Sequence, residues 1–375
     1  MVKIQGIPLA QQYGNTLQTI NIGGLEVSFQ RTCRVPEGQI NDLPASLGQF
    51  PIYKVGDYKK SIPKTWHQDS FFMPMYPQEA MWISFGRGYH EQPKALIIGA
   101  GNINALSGKP FIPEESIDVK LDAEQNYLVV PPQPWIDGWK AKDGKVYQFV
   151  AAEMGSGETV EGQITGKEVA GGLQFIIYDP KPGKDLIPKS TPREHLVGGS
   201  PRYHDDGLFI GSMSLCSLSA EEPRHRGGIV ESMMSSVSSM ASLDSMDFAG
   251  ESIEEIQSMG LGRGGEIEQQ IHPDTHGFEV WNEKPTAVEM VYLVASKDFQ
   301  QITGFSPPPT PVTFAEYQRQ GLPWFALWDQ KLGDTAGSDV FATLNPVQSG
   351  KIGGEPDILD KLKPVTRQYK GQQKE

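Results

Sequence analysis

Short runs of apolar residues, broken every few positions by glycine, proline or asparagine, recur along most of this 375-residue chain. The runs are rich in β-branched and aromatic side chains, which is typical of β-strands. In residues 146–149 (VYQF) apolar and polar positions alternate, which predicts a sheet with one solvent-exposed face. The predicted strands are 80–85 (AMWISF), 94–100 (KALIIGA), 126–132 (NYLVVPP), 145–152 (KVYQFVAA), 173–179 (LQFIIYD) and 287–295 (AVEMVYLVA).

Local signals add one hairpin and one helix to this pattern. The segments 17–22 (LQTINI) and 25–30 (LEVSFQ) flank Gly23-Gly24, and two such runs around a Gly-Gly pair predict a β-hairpin. Thr313 with Glu316 three residues later predicts the N-terminus of a short helix. Many short strands with turn signals between them favour a β-sandwich or barrel with few short helices.

The chain also contains an internal match. Two stretches share the pattern P-W-x-x-x-W, in a protein with only seven tryptophans. Other segments match in the same order around them, so an internal duplication is the better explanation. We therefore predict a mainly β fold of two tandem, internally duplicated β-sandwich-like units. The matched segments are 134–139 (PWIDGW) with 323–328 (PWFALW), 95–108 with 291–304, and, more faintly, 147–157 with 339–350.

This duplication divides the chain into five predicted segments. Serine and methionine dominate residues 231–260, so we expect a linker there, and the sequence leaves open whether residues 208–258 are ordered. The segments are N-terminal strands that complete the first unit (1–69), repeat unit one (70–180), a Pro/Gly-rich and then Ser/Met-rich connector (181–254), repeat unit two (255–352) and a polar tail (353–375).

The paired tryptophans have two interpretations. Residues i and i+4 lie on roughly one face of a strand or helix, so we expect Trp135 to face the same way as Trp139, and Trp324 the same way as Trp328. They could anchor the same corner of each unit, or they could form aromatic platforms that bind a sugar or another flat ligand. Packing is favoured, because a duplicated core needs duplicated anchors and indoles bury a large area.

Charge and composition exclude several classes of function. The formal net charge is −13 and no basic stripe is visible, which argues against nucleic-acid binding. No apolar run reaches the roughly 18 residues that a membrane-spanning helix needs. The N-terminal residues lack the pattern of a signal peptide, and two cysteines do not make a disulfide framework. We therefore expect a cytoplasmic protein without a membrane span.

Residues 272–276 (HPDTH) are the best candidate for a metal site. His272 and His276 with Asp274 between them offer the nitrogen and oxygen ligands that a zinc-like divalent ion prefers. A structural zinc site needs four ligands, however, and no fourth is evident. A polar turn is the favoured interpretation, and no other cofactor is expected.

Residues 260–265 (GLGRGG) fit the dinucleotide-binding pattern G-x-G-x-x-G, but no strand is predicted before them. Because related glycines occur in 154–157 (MGSG), a repeated turn is the favoured interpretation. The chain has neither a P-loop pattern nor a G-x-S-x-G nucleophile elbow.

Two functional hypotheses follow. The first is a non-catalytic protein that binds a protein or glycan ligand, acts as a scaffold, or assembles into a homo-oligomer. It rests on the duplicated aromatic anchors and on a sequence without a catalytic motif. The alternative is a metal-dependent hydrolase with its site at His272, Asp274 and His276, which have no counterparts in the first repeat.

Overall fold

The chain folds as a predominantly β structure. The computed structural model describes residues 16–86, 92–111, 119–186, 256, 258–325, 333–348, 351–352 and 355–356. Strand accounts for 38% of the described residues and helix for 13%, so the predicted mainly β class is confirmed. The strands are β1 (Ile20–Ile22), β2 (Leu25–Thr32), β3 (Ile40–Asn41), β4 (Leu43–Pro44), β5 (Ser46–Gln49), β6 (Tyr53–Lys54), β7 (Phe71–Met75), β8 (Ala80–Phe85), β9 (Lys94–Ala100), β10 (Ile103–Asn104), β11 (Leu128–Val130), β12 (Trp135–Ile136), β13 (Gly138–Lys140), β14 (Lys145–Glu153), β15 (Leu173–Tyr178), β16 (Ser258–Glu268), β17 (Ala287–Ala295), β18 (Trp324–Phe325), β19 (Lys351–Ile352) and β20 (Glu355–Pro356). The α-helices are α1 (Val160–Thr165), α2 (Ser296–Thr303), α3 (Phe314–Arg319) and α4 (Val340–Thr343).

One large sheet organises the molecule. Its main strand order is β1-β2-β8-β14-β16-β17-β15-β9-β10, and further short strands pair with individual strands of this order. Among the described residues the pairings are antiparallel, except that β3 runs parallel to β16 and β7 parallel to β17. The sheet folds back on itself, because Phe29 of β2 and Phe175 of β15 pack edge to face with ring centroids 5.9 Å apart although their strands are distant in this order.

Alternate residues of the strands enclose the main core, as the period of two predicts. In β14 these residues are Tyr147, Phe149 and Ala151, and in β15 they are Leu173, Phe175 and Ile177. The opposite face of β14 is buried as well, because Val150 and Ala152 pack against Val347. The prediction that one face of β14 is exposed to solvent is therefore wrong, because Val347 covers that face.

The strand, hairpin and helix predictions are confirmed. All six predicted strands form, and the segment predicted at 94–100 coincides with β9. Strands β1 and β2 pair as a hairpin around Gly23 and Gly24, whose φ angles of 54° and 87° a side chain would disfavour. Helix α3 begins after Thr313, whose hydroxyl accepts a hydrogen bond from the Glu316 backbone N–H at 3.2 Å.

Two separate sandwich units are not confirmed. Strands β16 and β17 of the second predicted repeat lie between strands of the first in the one sheet, since β14 pairs with β16 and β15 pairs with β17. Strands β9 and β17 of the 14-residue match both pair with β15, but turns and β10 follow β9 whereas helix α2 follows β17. The faint downstream match joins strand β14 to helix α4, which are different elements. No helix in the described part of the chain is both long and apolar enough to cross a membrane.

Candidate functional site

Trp139 is a packing residue of the main core. Its indole is fully buried, meets Phe149 edge to face with ring centroids 5.2 Å apart, and donates its Nε1–H to the backbone oxygen of Gly262 at 3.1 Å. Trp135 belongs to a different cluster on the other face of the sheet. The expectation that Trp135 and Trp139 share a face is therefore wrong.

The chain changes its partner strand between these two tryptophans, and this is why they face opposite ways. Strand β12 pairs with β8, whereas β13 pairs with β14. Strands β8 and β14 pair directly at Ala80 and Met81 and separate beyond them. Asp137 lies between β12 and β13, at the fork where β8 and β14 part.

A group of large aromatic residues covers the outer face of this fork. We name Trp82, Trp135, Trp324 and Phe325 the aromatic cluster; the first two are buried, and the last two are partly buried against them. Ile83 and Ile136, the neighbours of Trp82 and Trp135, belong to the main core instead, as strand alternation requires.

The cover of the aromatic cluster is a small two-stranded sheet. Strand β18 pairs with β4, with Trp324 opposite Pro44 and Phe325 opposite Leu43. Trp324 also meets the ring of Tyr317, with centroids 4.9 Å apart. Trp135 and Trp324, which open the two P-W-x-x-x-W stretches, thus pack in one cluster. Trp328 lies outside the described residues.

Asp137 has an unusual environment for a carboxyl group. It is 1% exposed, and its Oδ2 accepts a hydrogen bond from Trp135 Nε1 at 2.7 Å. Its backbone N–H donates to Gln269 Oε1 at 2.9 Å. Within the described residues, Oδ1 has no hydrogen-bond partner. Burial raises the pKa of the Asp137 carboxyl from 3.8 to about 7, and the hydrogen bond from Trp135 opposes that rise only in part.

The indole nitrogen of Trp82 is another buried polar atom without a hydrogen-bond partner in the described part of the chain. Strand β12 pairs with β8 at Trp135–Ser84 and Ile136–Ile83, and Trp82 is the neighbour of Ile83 in β8. Trp82 is 6% exposed, and its Nε1 meets no acceptor in the described part of the chain. Buried polar atoms are rarely left unsatisfied, so the free atoms of Asp137 and Trp82 each call for a physical explanation.

Buried glutamines at the fork hold backbone groups in place. Gln269 Nε2 donates to the carbonyl of Trp135 at 3.3 Å, and Gln133 Nε2 donates to the same carbonyl at 2.9 Å. Gln148 bridges to the N-terminal strands, donating to the Cys33 carbonyl at 2.9 Å. Because these side chains satisfy backbone atoms, their role is to stabilise the fork.

Lys140, at the end of β13, forms a buried ion pair. Its side chain is fully buried, and its Nζ lies 2.7 Å from Asp334 Oδ2. The other oxygen of Asp334 accepts a hydrogen bond from the Ile271 backbone N–H at 2.8 Å. Burial lowers the pKa of the Lys140 amine, and Asp334 opposes that shift. The pair fastens the C-terminal segment to β13.

The predicted metal ligands occupy a hydrogen-bonded turn. Asp274 Oδ2 accepts hydrogen bonds from Tyr127 Oη and Trp281 Nε1, each at 2.7 Å, and its Oδ1 accepts from the His276 backbone N–H at 2.8 Å. These bonds support the interpretation of residues 272–276 as a polar turn. His272 is buried. Within the described residues, no three His, Cys, Asp or Glu side chains converge to hold a metal.

The glycine-rich residues 260–265 lie inside strand β16, so their prediction as a turn is wrong. The glycines permit close packing of backbone and side chains. A Cβ atom on Gly265 would lie 2.4 Å from the carbonyl oxygen of Pro36, and one on Gly262 would lie 2.3 Å from Val347 Cγ2. These contacts account for the glycines by packing alone.

Sequence reasoning missed Asp137 and Trp82. Asp137 stands within the quoted PWIDGW stretch, and an acidic residue between two tryptophans predicted to be buried was the available signal. No local pattern predicts that Trp82 and Trp135 share a cluster, because their strands are more than 50 residues apart in the sequence. Comparison with family models, curated proteins and solved structures found no match for this chain.

Proposed function

We propose that this chain is a non-catalytic binding protein that recognises a neutral, hydroxyl-bearing ligand such as a glycan at the aromatic cluster. One observation carries the proposal: the leading tryptophans of both P-W-x-x-x-W stretches pack together with Trp82, and Trp324 and Phe325 are only partly buried. Indole faces stack on sugar rings while the indole N–H offers a polar contact, a combination that suits ligand sites.

The site chemistry favours a binding role over catalysis. Trp139 and Asp274, two of the residues singled out in the sequence, make hydrogen bonds that stabilise the fold. The internal duplication remains part of this proposal. It is supported by Gly108 and Gly304, which end the matched segments with φ angles of 70° and 76° and each donate a backbone hydrogen bond to a carbonyl four residues earlier. A cytoplasmic location, homo-oligomerisation and a protein ligand stay predictions.

Binding of a glycan panel to the full chain, followed by tryptophan fluorescence and calorimetry, tests the proposal. We expect at least one neutral glycan to bind, and Trp324→Ala to weaken it at least about tenfold. Phe278→Ala is the matched control, because Phe278 is 42% exposed and outside the aromatic cluster, and it should leave binding unchanged. No binding across the panel, or equal loss in both variants, would contradict the proposed function.

A further inference from the structure

Residues 306–311 (SPPPTP) lie against a surface formed by Arg31 and Tyr76. Tyr76 Oη donates a hydrogen bond to the backbone oxygen of Pro308 at 2.8 Å, and Arg31 Nη2 donates one to the backbone oxygen of Pro309 at 2.7 Å. Pro308 is buried, whereas Pro309 is exposed. The segment therefore turns one side toward the protein and the other side toward solvent.

The sequence of this segment favours a polyproline II conformation. Each proline ring fixes φ at about −65°, and each proline also keeps the preceding residue out of the helical region. A polyproline II chain makes no internal hydrogen bonds, so a receptor must donate to its free carbonyl oxygens, and grooves that recognise such chains are lined by aromatic side chains. Tyr76 and Arg31 supply an aromatic side chain and donors to two consecutive carbonyls.

A buried carboxyl group holds both donors in place. Glu79 is 2% exposed, and its Oε1 accepts a hydrogen bond from Arg31 Nε at 2.6 Å. Its Oε2 accepts one from the Tyr76 backbone N–H at 2.9 Å. The Arg31 guanidinium also lies over the ring of Phe50, 5.6 Å from its centroid. None of these contacts involves the proline-rich segment, so the site is built without it, and a preorganised site loses little entropy when a ligand binds.

The segment is attached to the fold at its two ends. No residue from 304 to 313 belongs to a helix or strand. Phe305, before the segment, packs against the cluster that contains Phe299, and Phe314, after it, is buried in the cluster that contains Tyr317. The prolines can therefore leave the surface while both anchors stay packed, and another proline-rich chain would restore the hydrogen bonds that are lost.

We propose that Arg31 and Tyr76 form a binding site for proline-rich peptides, and that residues 306–311 fill this site until an uncharged proline-rich segment of a partner protein displaces them. The segment carries no charged residue, and Glu79 already balances the charge of Arg31, so the site favours an uncharged peptide. The contact is thus autoinhibitory. The site includes no residue of the aromatic cluster, so this inference is independent of the proposed function.

Fluorescence anisotropy of a labelled peptide with the sequence of residues 306–312 tests the proposal on the full chain. The tethered segment competes at a millimolar effective concentration, so the wild type should bind the peptide weakly. In the double variant Pro308→Gly, Pro309→Gly the tethered segment loses its conformational preference, and the peptide should bind at least about tenfold more tightly. Adding Tyr76→Phe to the double variant should weaken binding about tenfold, because one hydrogen bond is lost.

Two controls and one contingency complete the test. Tyr58→Phe removes a hydroxyl from a ring that packs against Phe72, and it should leave peptide binding unchanged. A peptide with alanine in place of its prolines should not bind; equal binding of both peptides, or no effect of Tyr76→Phe, would overturn the inference. A folded double variant that binds no better than wild type would overturn it too. If the double variant does not fold, wild type decides: saturable binding at millimolar peptide supports the inference, and its absence refutes it.

Discussion

The replacement Asp137→Asn should stabilise this protein above neutral pH. The folded-state pKa of Asp137 is raised from 3.8 to about 7, because burial penalises the charged form. Between these values the folded protein binds a proton that the unfolded chain does not, so the free energy of unfolding falls as pH rises from about 4 to about 7. Above pH 7 this loss of stability is complete, and at pH 4 the stability is not yet reduced.

The size of the effect follows from the two pKa values. At about 1.4 kcal/mol for each pH unit between 3.8 and about 7, ionisation of Asp137 removes about 4 kcal/mol from the stability of the wild-type protein. Asparagine has nearly the same shape, can accept the hydrogen bond from Trp135 and cannot ionise. The variant should therefore be more stable than wild type by up to about 4 kcal/mol at pH 8 and by almost nothing at pH 4.

Urea unfolding of wild type and Asp137→Asn from pH 4 to pH 8, followed by circular dichroism, measures the difference in their free energies of unfolding. The other carboxyl groups titrate alike in both proteins, so their contributions cancel. Asp274→Asn is the control, because the Asp274 carboxylate accepts hydrogen bonds from Tyr127, Trp281 and the backbone of His276. It should destabilise the protein at pH 8 by about 1–3 kcal/mol. Equal stability of wild type and Asp137→Asn at pH 8 would refute the reasoning.

Three further predictions concern other parts of the molecule. Asp334→Ala should lower the free energy of unfolding by about 3 kcal/mol, because it leaves the Lys140 amine buried and unpaired, whereas Lys140→Met should lower it by about 1 kcal/mol or less. Chemical denaturation measures both variants, and equal losses of stability would contradict a buried ion pair. Gly265→Ala should lower the free energy of unfolding by about 1–3 kcal/mol, because the new Cβ would lie 2.4 Å from the backbone oxygen of Pro36. An unchanged melting temperature would contradict this close packing of β16. Elemental analysis of the purified chain should find no stoichiometric metal; a metal lost on replacing His272 and His276 by alanine would instead support the hydrolase alternative.

The sequence predicted local structure well because local structure has local causes. The period-two pattern and flanking turn residues located β9, β14 and β17, and the capping pair Thr313 and Glu316 located helix α3. Glycine was harder to interpret. Gly23-Gly24 is a turn as predicted, but the glycines of β16 lie in a strand, since close contact with a distant backbone leaves no local signature.

The candidate site was predictable only in part. The matched tryptophans directed attention to Trp135 and Trp324, and both lie in the aromatic cluster. Their partner Trp82 and the raised pKa of Asp137 were not predictable, because burial at the fork depends on where β12 leaves β8.

By itself, the sequence determined which segments form strands and which side chains seek burial, since hydrophobic periodicity and turn chemistry act over a few residues. Only the tertiary structure decided that strands from both predicted repeats share one sheet. It also decided that Asp137 is enclosed and that the two leading tryptophans belong to one hydrophobic cluster. Those outcomes depend on pairing between strands far apart in the chain, and the energy of such pairing comes from shape and desolvation that only the assembled fold creates.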